Sequence, residues 1–175
     1  MVSVEDEDVS PASMIPKVIA TWSENKKAAN TELISDDCMN WISNSEGYRY
    51  CRSEQKFDSG FNRYEFTMDF NDGSDISVGV CWDENASLNG YYYYTNTYMY
   101  CSNQPQFSKH FNSLYVTGTI PKVKRNSVVA VNFDFDEKKI WWEIDGVECD
   151  KLDFEPDKPE VFLVCGLYEG KIKIS

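Results

Sequence analysis

The feature that most constrains this chain is an alternation of apolar and polar residues with period two, repeated in segment after segment. Across 63–70, Tyr64, Phe66, Met68 and Phe70 alternate with Arg63, Glu65, Thr67 and Asp69. Ile76, Val78, Val80 and Trp82 then alternate with Ser77, Gly79 and Cys81. Val129, Val131, Phe133 and Phe135 alternate with Ala130, Asn132 and Asp134, and Ile140, Trp142 and Ile144 follow across a short polar turn. Side chains on a strand point to opposite faces in turn, so each segment reads as a strand with one face toward a core. Asn71-Asp72-Gly73, Asp145-Gly146 and Glu169-Gly170 supply turn signals between the runs. No segment shows a convincing apolar stripe at helical spacing, although residues 24–33 are long enough for one short helix. Many short strands joined by polar turns predict an all-β, antiparallel two-sheet sandwich, with at most one or two short helices near the N-terminus.

The chain has 175 residues, enough for one domain with a substantial core. Residues 1–16 carry Glu5, Asp6, Glu7 and Asp8 and then a Ser/Pro-punctuated stretch, which reads as a flexible acidic lead-in. The folded domain is expected over 17–175. A net charge of -12 argues against nucleic acid as the main partner and against anionic membrane surfaces, because both require clustered Lys and Arg. The best basic cluster, Lys122, Lys124 and Arg125, is short. The acidic start is unlike a signal peptide, and the apolar runs are too short to span a bilayer, so an intracellular, cytoplasmic location is expected. The six cysteines form no C-x-x-C pair and His110 is the sole histidine, so no metal site and no cofactor are expected. Cys81 and Cys165 fall within apolar strand patterns and read as buried thiols.

Several strands carry more specific wording. Arg52-Ser53-Glu54-Gln55-Lys56-Phe57-Asp58-Ser59-Gly60 followed by Tyr64-Glu65-Phe66 resembles the R-S-x-x-x-F-x-S-G…Y-W-E-V pattern of SPRY domains. Ile76-Ser77-Val78-Gly79-Val80 resembles the family's W-x-V-G-V strand, and Val128-Val129-Ala130-Val131-Asn132-Phe133-Asp134 its V-G-V-x-L-D strand. The stretch from Lys139 to Gly146 is similar to the I-S-F-Y-x-N-G hairpin, and Leu33-Ile34-Ser35-Asp36-Asp37 to the L-S-x-D strand. Arg63-Tyr64 stands where Tyr-Trp is usual. The resemblance implies a bent, concanavalin-like sandwich that binds a peptide or protein through loops at one end. It further implies a role as the substrate-recognising or scaffold part of a larger assembly.

Candidate contact residues follow from composition and from this resemblance. The segment from Asn89 to Tyr100 contains Tyr91, Tyr92, Tyr93, Tyr94, Tyr98 and Tyr100. A strand buries alternate side chains, so about half of these rings are expected to face outward. Exposed tyrosine offers large contact area at low entropic cost. With Arg63, Trp82, Asp83, Asn89 and Phe107 they make up the expected partner-binding set, on loops near 53–63, 83–100 and 102–115.

A rival reading starts from Glu143-Ile144-Asp145-Gly146-Val147-Glu148, which resembles the E-x-D-x-x-E signature of laminarinase-type glycoside hydrolases. Retaining glycosidases need two carboxyl groups about 5–5.5 Å apart. Glu143 and Asp145 would share a strand face with Trp141, giving a carbohydrate-binding or carbohydrate-cleaving alternative. Against it, Asp145-Gly146 reads as a turn that ends the strand before Glu148. The expected function is therefore non-catalytic.

Overall fold

A computed structural model describes residues 19–28, 31–41, 49–70, 76–82, 96–102, 106–109, 113–116 and 121–175. None of the described residues is helical. The strands are β1 (Trp22–Lys27), β2 (Thr31–Ser35), β3 (Cys38–Trp41), β4 (Arg49–Ser53), β5 (Phe61–Asp69), β6 (Ile76–Cys81), β7 (Thr97–Cys101) and β8 (Gln106–Lys109). They continue with β9 (Ser113–Val116), β10 (Val128–Asp134), β11 (Lys139–Ile144), β12 (Val147–Glu148), β13 (Leu152–Asp153), β14 (Phe162–Leu167) and β15 (Lys171–Ile174). The span 24–33 is therefore not helical in its described residues. It belongs to β1, which pairs with β4, and to β2, which pairs with β3. Without an apolar stripe nothing would hold a helix there, and the sheet edges take up the backbone hydrogen bonds instead.

The strands form two antiparallel sheets. One runs β1-β4-β14-β6-β7-β8-β9 and the other β12-β11-β10-β5-β15-β3-β2, with β13 pairing onto β11. The inner face of the second sheet carries Tyr64, Phe66 and Met68 from β5, Val129, Val131 and Phe133 from β10, and Ile140, Trp142 and Ile144 from β11. These residues pack against Ile76, Val78 and Val80 of β6, Tyr98 and Tyr100 of β7, and Leu163 and Cys165 of β14. Trp142 ties the two layers together by donating its indole N–H to the Val78 carbonyl oxygen at 3.1 Å.

The two sheets differ on their outer faces. β5 keeps the simple alternation, with Tyr64, Phe66 and Met68 buried and the residues between them open to solvent in varying degree. β6 is buried at every position. The outer face of its sheet carries a second apolar cluster of Tyr50, Cys81, Met99, Phe162 and Val164. Gly79 belongs to this strand for a steric reason: a Cβ there would lie 1.9 Å from the Tyr98 carbonyl oxygen. The Asp145-Gly146 turn forms as its sequence predicts, with φ of 50° and 81° at the two residues. Two central residues at positive φ are the geometry of the tight hairpin turn favoured by right-twisted strands.

Candidate functional site

A small cleft of about 70 Å³ opens where β6 ends and β14 begins, lined by Trp82, Lys158, Pro159, Glu160 and Phe162. Three stretches of chain converge on it. The first follows β4: Phe57 and Val161 exchange backbone hydrogen bonds of 2.9 and 2.8 Å, and Lys56 pairs with Glu160 at 2.8 Å. The second is the polar approach to β14, which supplies Lys158, Pro159 and Glu160. The third leaves β6 at Trp82 and returns at Asn96, and the Trp82 N–H donates to the Asn96 carbonyl oxygen at 3.1 Å. The tyrosine-bearing segment is thus anchored at both ends beside the cleft.

Arg52 packs on Phe162 from the neighbouring strand. It lies opposite Val164 in the β4–β14 register, so it shares the outer face with Val164 and Phe162. Its guanidinium carbon is 3.6 Å from the centre of the Phe162 ring, and Lys56 Nζ is 5.7 Å from the same ring. Such stacking of a cation on an aromatic face is favourable. It satisfies none of the guanidinium's directional donors, however. Arg52 is only 7% exposed, and its Nε and Nη1 are sealed from solvent with no acceptor among the described residues. The nearby Glu54 is turned elsewhere, accepting from the Ser23 hydroxyl.

The expected contact residues do not all gather here. Trp82 lines the cleft, but it is 1% exposed and its ring packs on Tyr98 at a centroid distance of 5.6 Å. Tyr98 and Tyr100, two apart on one strand face, are both fully buried. β7 lies between β6 and β8, not at a sheet edge, and its sheet is covered on both faces, so alternation leaves no solvent side. The Tyr98 hydroxyl accepts from the Glu155 N–H at 3.0 Å, and burial pushes the Tyr100 hydroxyl up to about 12. Both are core residues. Asp83, Asn89, Tyr91, Tyr92, Tyr93 and Tyr94 and the side chain of Phe107 lie outside the described residues, as does the Asn71-Asp72-Gly73 turn.

Arg63 sits on the other side of the sandwich, on the outer face of the second sheet. It bridges Glu143 at 2.5 Å, Glu65 at 2.9 Å and the Asn132 side-chain oxygen at 3.1 Å. Beside it Phe61, 54% exposed, stacks on Trp141 at 5.7 Å, and Lys151 Nζ lies 4.2 Å from the Trp141 ring centre. This face also holds the three carboxylates of the hydrolase-like string, each with structural work. Glu143 is neutralised by Arg63 and accepts from Asn132 at 3.2 Å. Asp145 accepts from the Val128 N–H at 2.9 Å and the Ser127 hydroxyl at 2.8 Å, fastening the turn to the start of β10. Glu148 returns opposite Glu143 on the short strand β12, with Lys151 at 4.0 Å.

Among the described residues, no group of three or more His, Cys, Asp or Glu side chains could hold a metal ion. The six cysteines are free thiols. Burial pushes Cys51 up to about 12 and Cys165 well above its usual range.

Sequence reasoning missed Arg52, Lys56, Lys158 and Phe162 as a group. Their one legible signal was Arg52 itself, an arginine placed in step with Tyr50 within a strand otherwise fit for burial.

No protein-family model matches the sequence, and no curated protein matches it. Solved structures do. The SPRY domain of human HERC1 superposes with a TM-score of 0.72 at 17% identity, covering 87% of this chain and 96% of that one. The TRIM65 PSpry domain gives 0.68 at 12% identity, covering 89% and 88%. A human SPRY domain gives 0.65 at 12% identity, covering 83% and 94%. With two antiparallel sheets and these matches over most of its length, the chain has the SPRY-domain fold.

Proposed function

We propose that the chain is a non-catalytic protein-interaction module, recognising a peptide or protein partner through the loops at the cleft end of the sandwich. The observation that carries this reading is the convergence of three chain segments on one cleft, with the tyrosine-bearing segment anchored there by the Trp82–Asn96 hydrogen bond. Loops held on a rigid scaffold are the usual seat of recognition. Asp83, Asn89, Tyr91, Tyr92, Tyr93 and Tyr94 belong to the segment between those anchors and are assigned to partner contact, with Phe107 as a further contact. The solved SPRY domains that share the fold support a module of this kind. The carboxylates of the hydrolase-like string, engaged with Arg63, Val128 and Ser127, speak against the carbohydrate-cleaving alternative.

The test is affinity capture from a lysate of the source cell. The wild-type domain is compared with a Tyr92→Ala/Tyr94→Ala variant shown by near-ultraviolet circular dichroism to be folded. A protein retained by the wild type and lost by the variant is the expected result. Retention of a sugar polymer and of no protein would contradict the proposal.

A further inference from the structure

We infer that Cys51 and Cys165 are a redox-sensitive pair, which closes to a disulfide joining β4 to β14 and reopens on reduction. In the β4–β14 register the two residues lie directly opposite one another. Both belong to the inner core cluster, so their side chains share one face of the sheet. Phe57 and Val161 exchange backbone hydrogen bonds, which turns Val161, and with it Leu163 and Cys165, toward the β4 side. The Tyr50 carbonyl oxygen accepts from the Ala28 N–H on the β1 side, so Cys51, the next residue, turns toward β14. Residues that face one another in this way have Cα atoms about 5.5 Å apart. That separation suits a disulfide without movement of either strand. No other two cysteines are so placed. Cys81 stands opposite Thr97 and Phe162, Cys101 opposite Ser77 and Gln106, and Cys38 opposite Ser35 and Lys173.

Burial pushes both thiols above their usual range, so neither is a nucleophile while the sheet is closed. The way in is the sheet edge. β1 is the edge strand, and the Cys51 thiol donates to the Ser23 carbonyl oxygen of β1 at 3.8 Å. Opening of an edge strand costs less than global unfolding, and here it uncovers Cys51 first. The oxidant is a low-molecular-weight disulfide such as oxidised glutathione. The Cys51 thiolate attacks one of its sulfurs, forming a mixed disulfide and releasing one glutathione thiolate. The Cys165 thiolate then attacks Cys51 Sγ, breaking the mixed disulfide and releasing the second. The two protons given up by the cysteines pass to the two glutathione thiolates. The new bond closes a loop through most of the chain and so restrains the unfolded state. It also fixes β4 to β14, whose adjoining segments bring Lys56 to Glu160.

The test uses the full chain, kept folded in set ratios of reduced to oxidised glutathione, quenched with acid and digested without reduction. Mass spectrometry should find a linked peptide holding Cys51 and Cys165, and an intact mass lower by two hydrogens with no glutathione attached. Dithiothreitol should reverse both. Urea below the unfolding transition should speed closure by opening β1. The oxidised form should melt at least about 3 °C above the reduced form. Cys165→Ala removes the second step, so one glutathione should remain on Cys51. If that variant does not fold, the linked peptide of the wild type decides. A different cysteine pairing, glutathione adducts that never resolve, no change in mass even in mild urea, or an oxidised form that melts no higher than the reduced would each overturn the inference.

Discussion

The guanidinium of Arg52 lies 3.6 Å above the ring of Phe162, on the outer face of a sheet that is otherwise apolar there. A charge so placed is a cost to folding. Arg52→Met keeps the length of the side chain and its contact with the ring but removes the unsatisfied donors. The variant should be as stable as the wild type or more so in urea unfolding, because an unpartnered buried cation is a liability. A loss of more than about 2 kcal/mol would show that Arg52 makes bonds the fold depends on.

Trp142 holds the two sheets together through its indole hydrogen bond to Val78 as well as through its bulk. Trp142→Phe removes the donor and leaves a gap where the larger ring sat. A loss of about 2 kcal/mol or more is expected in denaturant unfolding. A change under about 0.5 kcal/mol would mean that the core repacks freely around this position.

Arg63 was expected at a binding surface, and it is the hub of a polar network on β5, β10 and β11. Without it Glu143 would face Glu148 across the hairpin with no close counterion. Its side chain is partly exposed, so solvent screening limits the effect, and Arg63→Leu should cost about 1–2 kcal/mol. Glu143→Gln in the same molecule should recover part of that loss in a double-mutant cycle. Strict additivity of the two substitutions would contradict the coupling.

Alkali should unfold the domain over a defined range. Burial pushes the Tyr64 and Tyr100 hydroxyls up to about 12 from an ordinary 10.0, and the Cys51 thiol up to about 12 from 9.0. These groups are neutral in the folded state, while the unfolded chain ionises them first. Their contribution is complete below about pH 9 and is lost as pH rises toward 12. Melting temperature should therefore be level up to about pH 9 and fall steadily above it. A melting temperature that stays level to about pH 11 would contradict the burial of these groups.

Most of the architecture was legible in the sequence because one strand property, alternation, decides which side chains meet the core. The stretches 63–70, 128–135 and 139–146 read correctly for this reason, down to the Asp145-Gly146 turn. Alternation fails where a sheet is covered on both faces. Tyr98 and Tyr100 share the inner face of β7 as alternation predicts, but Thr97 and Met99 on its other face are buried as well. Arg52 was hidden by the opposite effect. A charged residue in a strand reads as solvent-facing, and only the β4–β14 register places it over Phe162. Lys56 meets Glu160 from 104 residues away in the chain, which no local pattern records.

The most direct test of the account is site-specific photo-crosslinking in the source cell, with a benzophenone amino acid placed in turn at Lys158 and at Ile34. Lys158 lines the cleft, whereas Ile34 is exposed on β2, at the edge of the other sheet. Recognition at the cleft predicts a discrete crosslinked protein from position 158, lost when Tyr92→Ala/Tyr94→Ala is added, and none from position 34. Crosslinking from position 34 alone, or from position 158 with no dependence on Tyr92 and Tyr94, would contradict recognition at the cleft.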